Sequence, residues 1–376
     1  MTKIFRNSML MAAAILLGFT SCNNDEVVDN STTTLTVKIS AESTTKAIQA
    51  PGTATAATLN DGLIFLIAPD GSVYGSPIAL DPSQVQGPSG QVISNVSSSA
   101  RVFIVGNPTA TGMTALQSAT SMTEIYAINE SVLDYQSTLY NNVALSNTSG
   151  VPASITVSGI TAAVNVGIAP VIARLELAQI TGGVYVEMSG GTATGNQTRI
   201  SGFNVAGIFV DSYYPTFTYR GTGTGTLVEQ NQSVVVPGTT IGDWTGWTAG
   251  VQPYPTQPSV NAGGSNVWAY NVASDNVARL IISVTNVTYE TSDDNGTTWT
   301  TGTSNNYGGT QFITVGGYTV GGNPVVNFVR GTIYQISDLE FTTDNLHSTP
   351  NPTDLDLTVN VTIAPWVLSP TTPGLE

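Results

Sequence analysis

The residues able to do chemistry are few. A nucleophilic triad needs an imidazole as its base, and the chain has a single histidine, His347, set among turn formers at 345–352 (NLHSTPNP). It reads as a solvated loop residue. Zinc sites need clusters of Cys and His, which one cysteine, Cys22, and one histidine cannot build. Carboxylates pair at Asp293-Asp294, Asp338 with Glu340, and Asp354 with Asp356. Glycosidases set two carboxylates across a cleft, but nothing singles out one of these pairs. Asp293-Asp294-Asn295-Gly296 lacks the ligand spacing and distal Glu of a calcium loop and is better read as a hairpin turn. The Gly-Thr alternation at 221–226 lacks the strand-to-helix setting of a phosphate loop. We therefore expect no enzyme, no metal and no cofactor. Trp244 and Trp247 in GDWTGW, with Tyr254 nearby, are candidate aromatics for holding a sugar; covering an end of the second domain is the reading we prefer.

The one cysteine has a different chemistry. Lys3 and Arg6 precede an apolar run at 9–19 (MLMAAAILLGF) that is too short to span a membrane and reads as an export signal, 1–21. Cys22 follows at once, closing the lipobox-like Leu17-Gly18-Phe19-Thr20-Ser21-Cys22, so it reads as a lipidation site. No intramolecular disulfide is available to an exported chain with one cysteine.

These features must be carried by β-structure. Charged residues make up only 9% and hydrophobic ones 41%, with 38 Gly, 19 Pro and many Thr and Val. That composition predicts an all-β, loop-rich protein with one or two short helices. Runs at 63–68 (LIFLIA) and 101–106 (RVFIVG) read as fully buried strands closed by turns. Residues 113–127 read as a helix capped by Thr111 or Thr114. Strands return at 154–166 and 170–180. Glycines and small polar residues at 181–198 predict a loop and the domain boundary, giving domains at 47–185 and 186–376. Turns are expected at Asn295-Gly296, Gly316-Gly317 and Gly321-Gly322. Beyond Lys46 there is no lysine, and the net charge is −15. Such an acidic surface excludes nucleic acid and anionic membranes as partners, and the missing lysines exclude Lys-Asn cross-links.

Two terminal segments stand out. In 34–40 (TLTVKIS), Leu35, Val37 and Ile39 alternate with polar residues, and Lys46 follows in a small-residue context suited to a trypsin-like cut before Ala47. At the other end Leu355, Leu357, Val359, Val361 and Ile363 alternate over nine residues, about 30 Å of strand, before Pro365 and Trp366. Burying five such side chains contributes on the order of 10 kcal/mol. It reads either as the last strand of a sandwich or as a strand that pairs elsewhere. Loss of 22–46 would open a sheet edge that another chain's strand could fill. Such a head-to-tail contact gives open filaments.

The lipobox, the short strand, the basic cleavage point followed by Ala, RVFIVGNP before a helix, VIARLEL, VRGTIYQISDLEF and the terminal VNVTIAPW, in that order, resemble the Bacteroidetes fimbrillins, the major-fimbrium family of type V pili. The acidic Asn23-Asn24-Asp25-Glu26 resembles the surface-export tag of lipoproteins from that phylum. The resemblance implies two tandem β-sandwich-like (transthyretin-like) domains and lipid anchoring in the outer membrane during export. It also implies cleavage at Lys46-Ala47, a displaced strand carrying Leu35, Val37 and Ile39, and a donor strand within Leu355 to Trp366. Lys46 stands where Arg is usual. Partners would be further subunits in a homopolymer, with a host or bacterial surface beyond. The alternative is a tip or accessory adhesin binding a glycan or another cell. N-terminal sequencing of protein sheared from its native cell surface should read from Ala47; a chain still beginning at a lipidated Cys22 would contradict maturation at Lys46.

Overall fold

The computed structural model describes residues 32–40, 57–136, 142–229, 246–248, 258–261, 267–301, 306–350 and 357–365. The fold is all-β. Its longer strands, in chain order, are β1 (Thr32–Ser40), β2 (Gly62–Ile67), β3 (Gln91–Ser97), β4 (Arg101–Gly106), β5 (Leu145–Asn147), β6 (Thr161–Pro170), β7 (Ala173–Leu177), β8 (Thr192–Asp211), β9 (Trp268–Val272), β10 (Arg279–Ser292), β11 (Gln311–Val320), β12 (Thr332–Ile336), β13 (Leu357–Asn360) and β14 (Thr362–Pro365). Three short α-helices occur among the described residues: α1 (Pro82–Val85), α2 (Ala110–Ser118) and α3 (Met122–Ala127).

The two continuous apolar runs become β2 and β4, paired antiparallel from Gly62↔Gly106 to Ile67↔Arg101 and buried on both faces. Polar side chains end them as turn chemistry requires. Asp70 accepts from Ser72 N at 2.9 Å, and Asn107, at φ 51°, accepts from Asn60 N at 2.8 Å. β6 alternates buried and exposed residues. Its residues 161–167 pair with β1 and its residues 168–170 with β5, so it joins two parts of the first sheet.

The expected single helix at 113–127 is two. Thr109, not Thr111 or Thr114, caps α2, its Oγ1 accepting from Gly112 N at 3.0 Å, and Ser121 caps α3 by accepting from Glu124 N at 3.2 Å. The buried Glu130 carboxylate fixes the start of α2 by accepting from Thr109 N and Oγ1 at 3.2 and 2.7 Å. Ala119 is extended, which ends α2, and the Thr and Ser hydroxyls that follow cap a helix better than they continue one.

Strand pairing passes to a second set of sheets between Pro170 and Ala173, ahead of the boundary expected at 185/186. β7 lies between β9 and β12. The expected loop at 181–198 is instead a hairpin of Val184–Ser189 with β8, turning at Gly190 and Gly191 with φ of 58° and 82°. Small polar residues read as loop locally, but β8 is held by a ladder with β10 from Gln197↔Ser292 to Asp211↔Arg279, and the long-range pairing overrides local preference. β10 pairs in turn with β11. The opposing sheet runs β9-β7-β12-β14. Phe328 joins the two layers, 5.4 Å from the Tyr318 ring on β11 and 4.6 Å from Tyr334 on β12.

Asn295-Gly296 and Gly321-Gly322 turn as expected, all four residues at positive φ. In the first turn Asp294 accepts from Thr298 N and Ser292 Oγ at 2.8 and 2.7 Å, bonds that hold its carboxyl down at about 2. Gly316-Gly317 is not a turn. It lies inside β11, beside β13.

Side chains tie the two parts together. Gln136 donates to Asn271 O at 2.6 Å and accepts from Asn271 N at 2.9 Å, closing the edge of β9 as another strand would. Arg330, ahead of β12, donates to Arg220 O at 3.0 Å, to Ser146 O and Oγ at 3.3 and 3.1 Å, and to Ala169 O at 3.2 Å. Desolvation lowers its guanidinium to about 10. Replacing it strands carbonyl groups of both parts, so Arg330→Met should cost about 2–4 kcal/mol in urea unfolding. An unchanged midpoint would show that the junction does not depend on this residue.

Candidate functional site: the first strand and its slot

β1 reads TTTLTVKIS, a run of β-branched and apolar residues suited to a pleated surface. It lies parallel to β6, from Thr34↔Thr161 to Ser40↔Gly167, and antiparallel to β3. Leu35 and Val37 are completely buried, and Ile39 packs partly buried at the rim. Thr34 and Lys38 face outward. The alternation read from the sequence is thus the real inside and outside of the strand. Each of the two buried side chains contributes about 1.5–3 kcal/mol.

Two features of β3 fit it to β1. Its register shifts between Thr33 and Leu35, and Asn95 at φ 59° takes up the bulge. Gly90, just ahead of β3, has φ +75°. A Cβ there would lie 2.8 Å from Thr36 Cγ2, 2.8 Å from Val37 O and 2.9 Å from Lys38 Cγ, so no side chain fits while β1 is in place. Sequence reasoning missed Gly90; the signal available was a glycine at the start of a strand pattern.

Among the described residues, β1 is the only strand paired with β3. Taking β1 away leaves the edges of β6 and β3 about 9–10 Å apart, two interstrand spacings, over a floor that includes Ile93, Val96, Val164 and Val166. That is a slot for one strand. Its unpaired backbone groups would demand a partner.

The C-terminal segment is already placed. β13 runs parallel to β11, with Tyr318↔Val359 and Thr319↔Asn360, and β14 antiparallel to β12, with Tyr334↔Ile363. The expected single strand is therefore two, and the chain passes from one sheet to the other at Val361, whose N donates to Thr319 O at 2.8 Å. The crossing breaks the alternation. Val359, Val361 and Ala364 are buried and Leu357 partly so, while Ile363 is 41% exposed. At Gly317 a Cβ would lie 2.7 Å from Thr358 Oγ1, so the Thr358 side chain sits over Gly317 as the Thr36 side chain sits over Gly90.

Cys22, Lys46, Ala47, Trp244, Tyr254, Leu355 and Trp366 lie outside the described residues. Trp247 is described through its backbone alone, pairing with Ile208. His347 bonds through its backbone to Phe312 in both directions, at 2.8 and 3.0 Å, in the loop where it was expected. The buried titratable cluster outside the slot is structural: the Tyr219 hydroxyl, pushed far up by burial, donates to Glu130. Among the described residues no group of three His, Cys, Asp or Glu could hold a metal, and no helix is long and apolar enough to cross a membrane.

No protein-family profile matches the sequence, and no curated protein does. Solved structures do. One from Parabacteroides distasonis, described as a candidate cell adhesion protein, has 12% identity over 89% of this chain and 99% of its own, with a TM-score of 0.51. A second candidate cell adhesion protein from that organism has 12% identity over 92% and 99%, with a TM-score of 0.50. The fimbrilin FimA of Porphyromonas gingivalis has 14% identity over 89% and 98%, with a TM-score of 0.48. The two Parabacteroides structures establish a shared fold over nearly the whole of both chains.

In the uncleaved chain, Leu35→Ala should cost about 2–5 kcal/mol in denaturant unfolding, whereas Thr34→Ala, on the outer face, should stay within about 0.5 kcal/mol. Equal, small effects at both positions would show that β1 is not an integral strand.

Proposed function

We propose that the protein is a structural stalk subunit of a surface fimbrium, exported as a lipoprotein through Cys22, cleaved between Lys46 and Ala47, and polymerised by strand exchange. The observation that carries this reading is the place of β1. It is the strand ahead of the basic cleavage point, and it is also the one rung that holds β3 to β6. One cut at Lys46 therefore frees the strand whose loss opens a strand-wide slot. While β1 stays, the slot is filled and the subunit cannot accept a neighbour. The shared fold with candidate cell adhesion proteins agrees with a surface role.

The donor is the C-terminal segment of a second subunit. Residues 366–376 alone cannot supply it, because Pro370 and Pro373 remove ladder donors from so short a stretch. The donor must therefore include 357–365, which leaves β11 and β12 in the process. Each subunit would give its end and receive another in the slot, a heterologous contact that propagates as a filament. The absence of lysine after Lys46 makes the polymer non-covalent.

Removing residues 358–376 should abolish filaments seen by electron microscopy, while removing 366–376 alone should leave them, with circular dichroism checking that both chains fold. Filaments of normal length from the longer deletion would overturn strand donation by this end.

A further inference from the structure

The structure places two strands of nearly the same sequence in two sites that share a parallel neighbour and a glycine beneath the strand's Thr. Residues 35–40 read LTVKIS and residues 357–362 read LTVNVT. Leu, Thr and Val are identical in order, and Ile to Val and Ser to Thr keep their side-chain class. Each strand lies parallel to a neighbour, β1 to β6 and β13 to β11. Each seats its Thr against a glycine: Thr36 against Gly90 with Cγ2 at 2.8 Å from the Cβ position, and Thr358 against Gly317 with Oγ1 at 2.7 Å.

We infer that the donor enters a neighbour's slot in one register: Leu357 at the position of Leu35, Thr358 at Thr36 against Gly90, Val359 at Val37 and Val361 at Ile39. The inference rests on the strand exchange proposed above and adds its alignment. In this register Asn360 takes the outward place of Lys38, and Pro365 falls beyond Ser40, where β1 makes no further ladder bonds. A slip of one residue would turn every apolar side chain outward. A slip of two keeps the faces but sets Asp356 or Asn360, instead of Thr358, against the bare backbone at Gly90.

The two sites differ in how they hold 357–360. In its own subunit, among the described residues, β13 has a ladder with β11 alone, and Leu357 is partly exposed. In the slot the same strand would have ladders on both sides, and the positions of Leu35 and Val37 are fully buried. Moving from home to slot gives up the β12–β14 ladder and gives 357–360 a second row of hydrogen bonds with further burial of Leu357.

Cysteine pairs report the register directly. Thr36 lies opposite Val92 on β3, and Val92 is 58% exposed. Cross-strand partners sit at Cα separations that a disulfide can bridge. Mature filaments from a chain carrying Val92→Cys and Thr358→Cys should, after mild oxidation, run as a covalent ladder on non-reducing gels. Val92→Cys paired with Asp356→Cys or Asn360→Cys should give little. A ladder strongest with position 356 or 360 would overturn the register while strand exchange stands. Filaments that form but give no ladder with any pair would overturn strand donation into this slot as well. A second variant tests the two-site comparison: Gly317→Ala crowds Thr358 at home and leaves the slot untouched, so the matured chain should assemble faster. Slower or unchanged assembly would overturn that comparison.

Discussion

The backbone of β3 and β6 needs a strand between them. Both strands belong to one sheet with a buried inner face, and β1 supplies hydrogen bonds to each while closing the apolar floor with Leu35 and Val37. Unpaired backbone over an apolar groove is costly, so the first unit is complete only when something extended fills that place. The stability of this sheet therefore depends on an inner strand supplied by 32–40, the earliest strand among the described residues.

The second unit is built so that it does not share this dependence. The β8–β10 ladder is long, the opposing sheet is joined to it through Phe328, and the edge of β9 is closed by the Gln136 amide. Arg330 ties the start of β12 to the ends of β5 and β6 through carbonyl groups rather than a carboxylate. The joint between the units is thus made of directional hydrogen bonds with buried aromatic neighbours. It ties the two units together through Gln136 and Arg330.

Much of this was legible in the residues. Continuous apolar runs gave β2 and β4, and the alternation in 34–40 gave the buried Leu35 and Val37. Where local composition misled, a distant partner was the reason. Thr181 to Thr198 looked like loop but carries strand because β8 pairs with 184–189 in a hairpin and is held further along by β10; Gly316-Gly317 looked like a turn but lies in β11 beside β13. The stretch at 113–127 divided because Ala119 is extended and Ser121 caps a second helix, while the buried Glu130 fixed the start of the first at Thr109.

The sequence by itself determined which side chains of β1 and β6 face inward, since an unbroken strand repeats every two residues whatever its partner. It also determined the turn positions at Asn295-Gly296 and Gly321-Gly322, where positive φ needs Gly or Asn. Only the tertiary structure decided the neighbours: that β1 is an inner rung rather than an edge, that the C-terminal alternation is split between two sheets at Val361, and that Gly90 and Gly317 are seats for a Thr. Periodicity belongs to one chain segment, whereas register and sheet order are set by hydrogen bonds and close contacts between segments far apart in sequence.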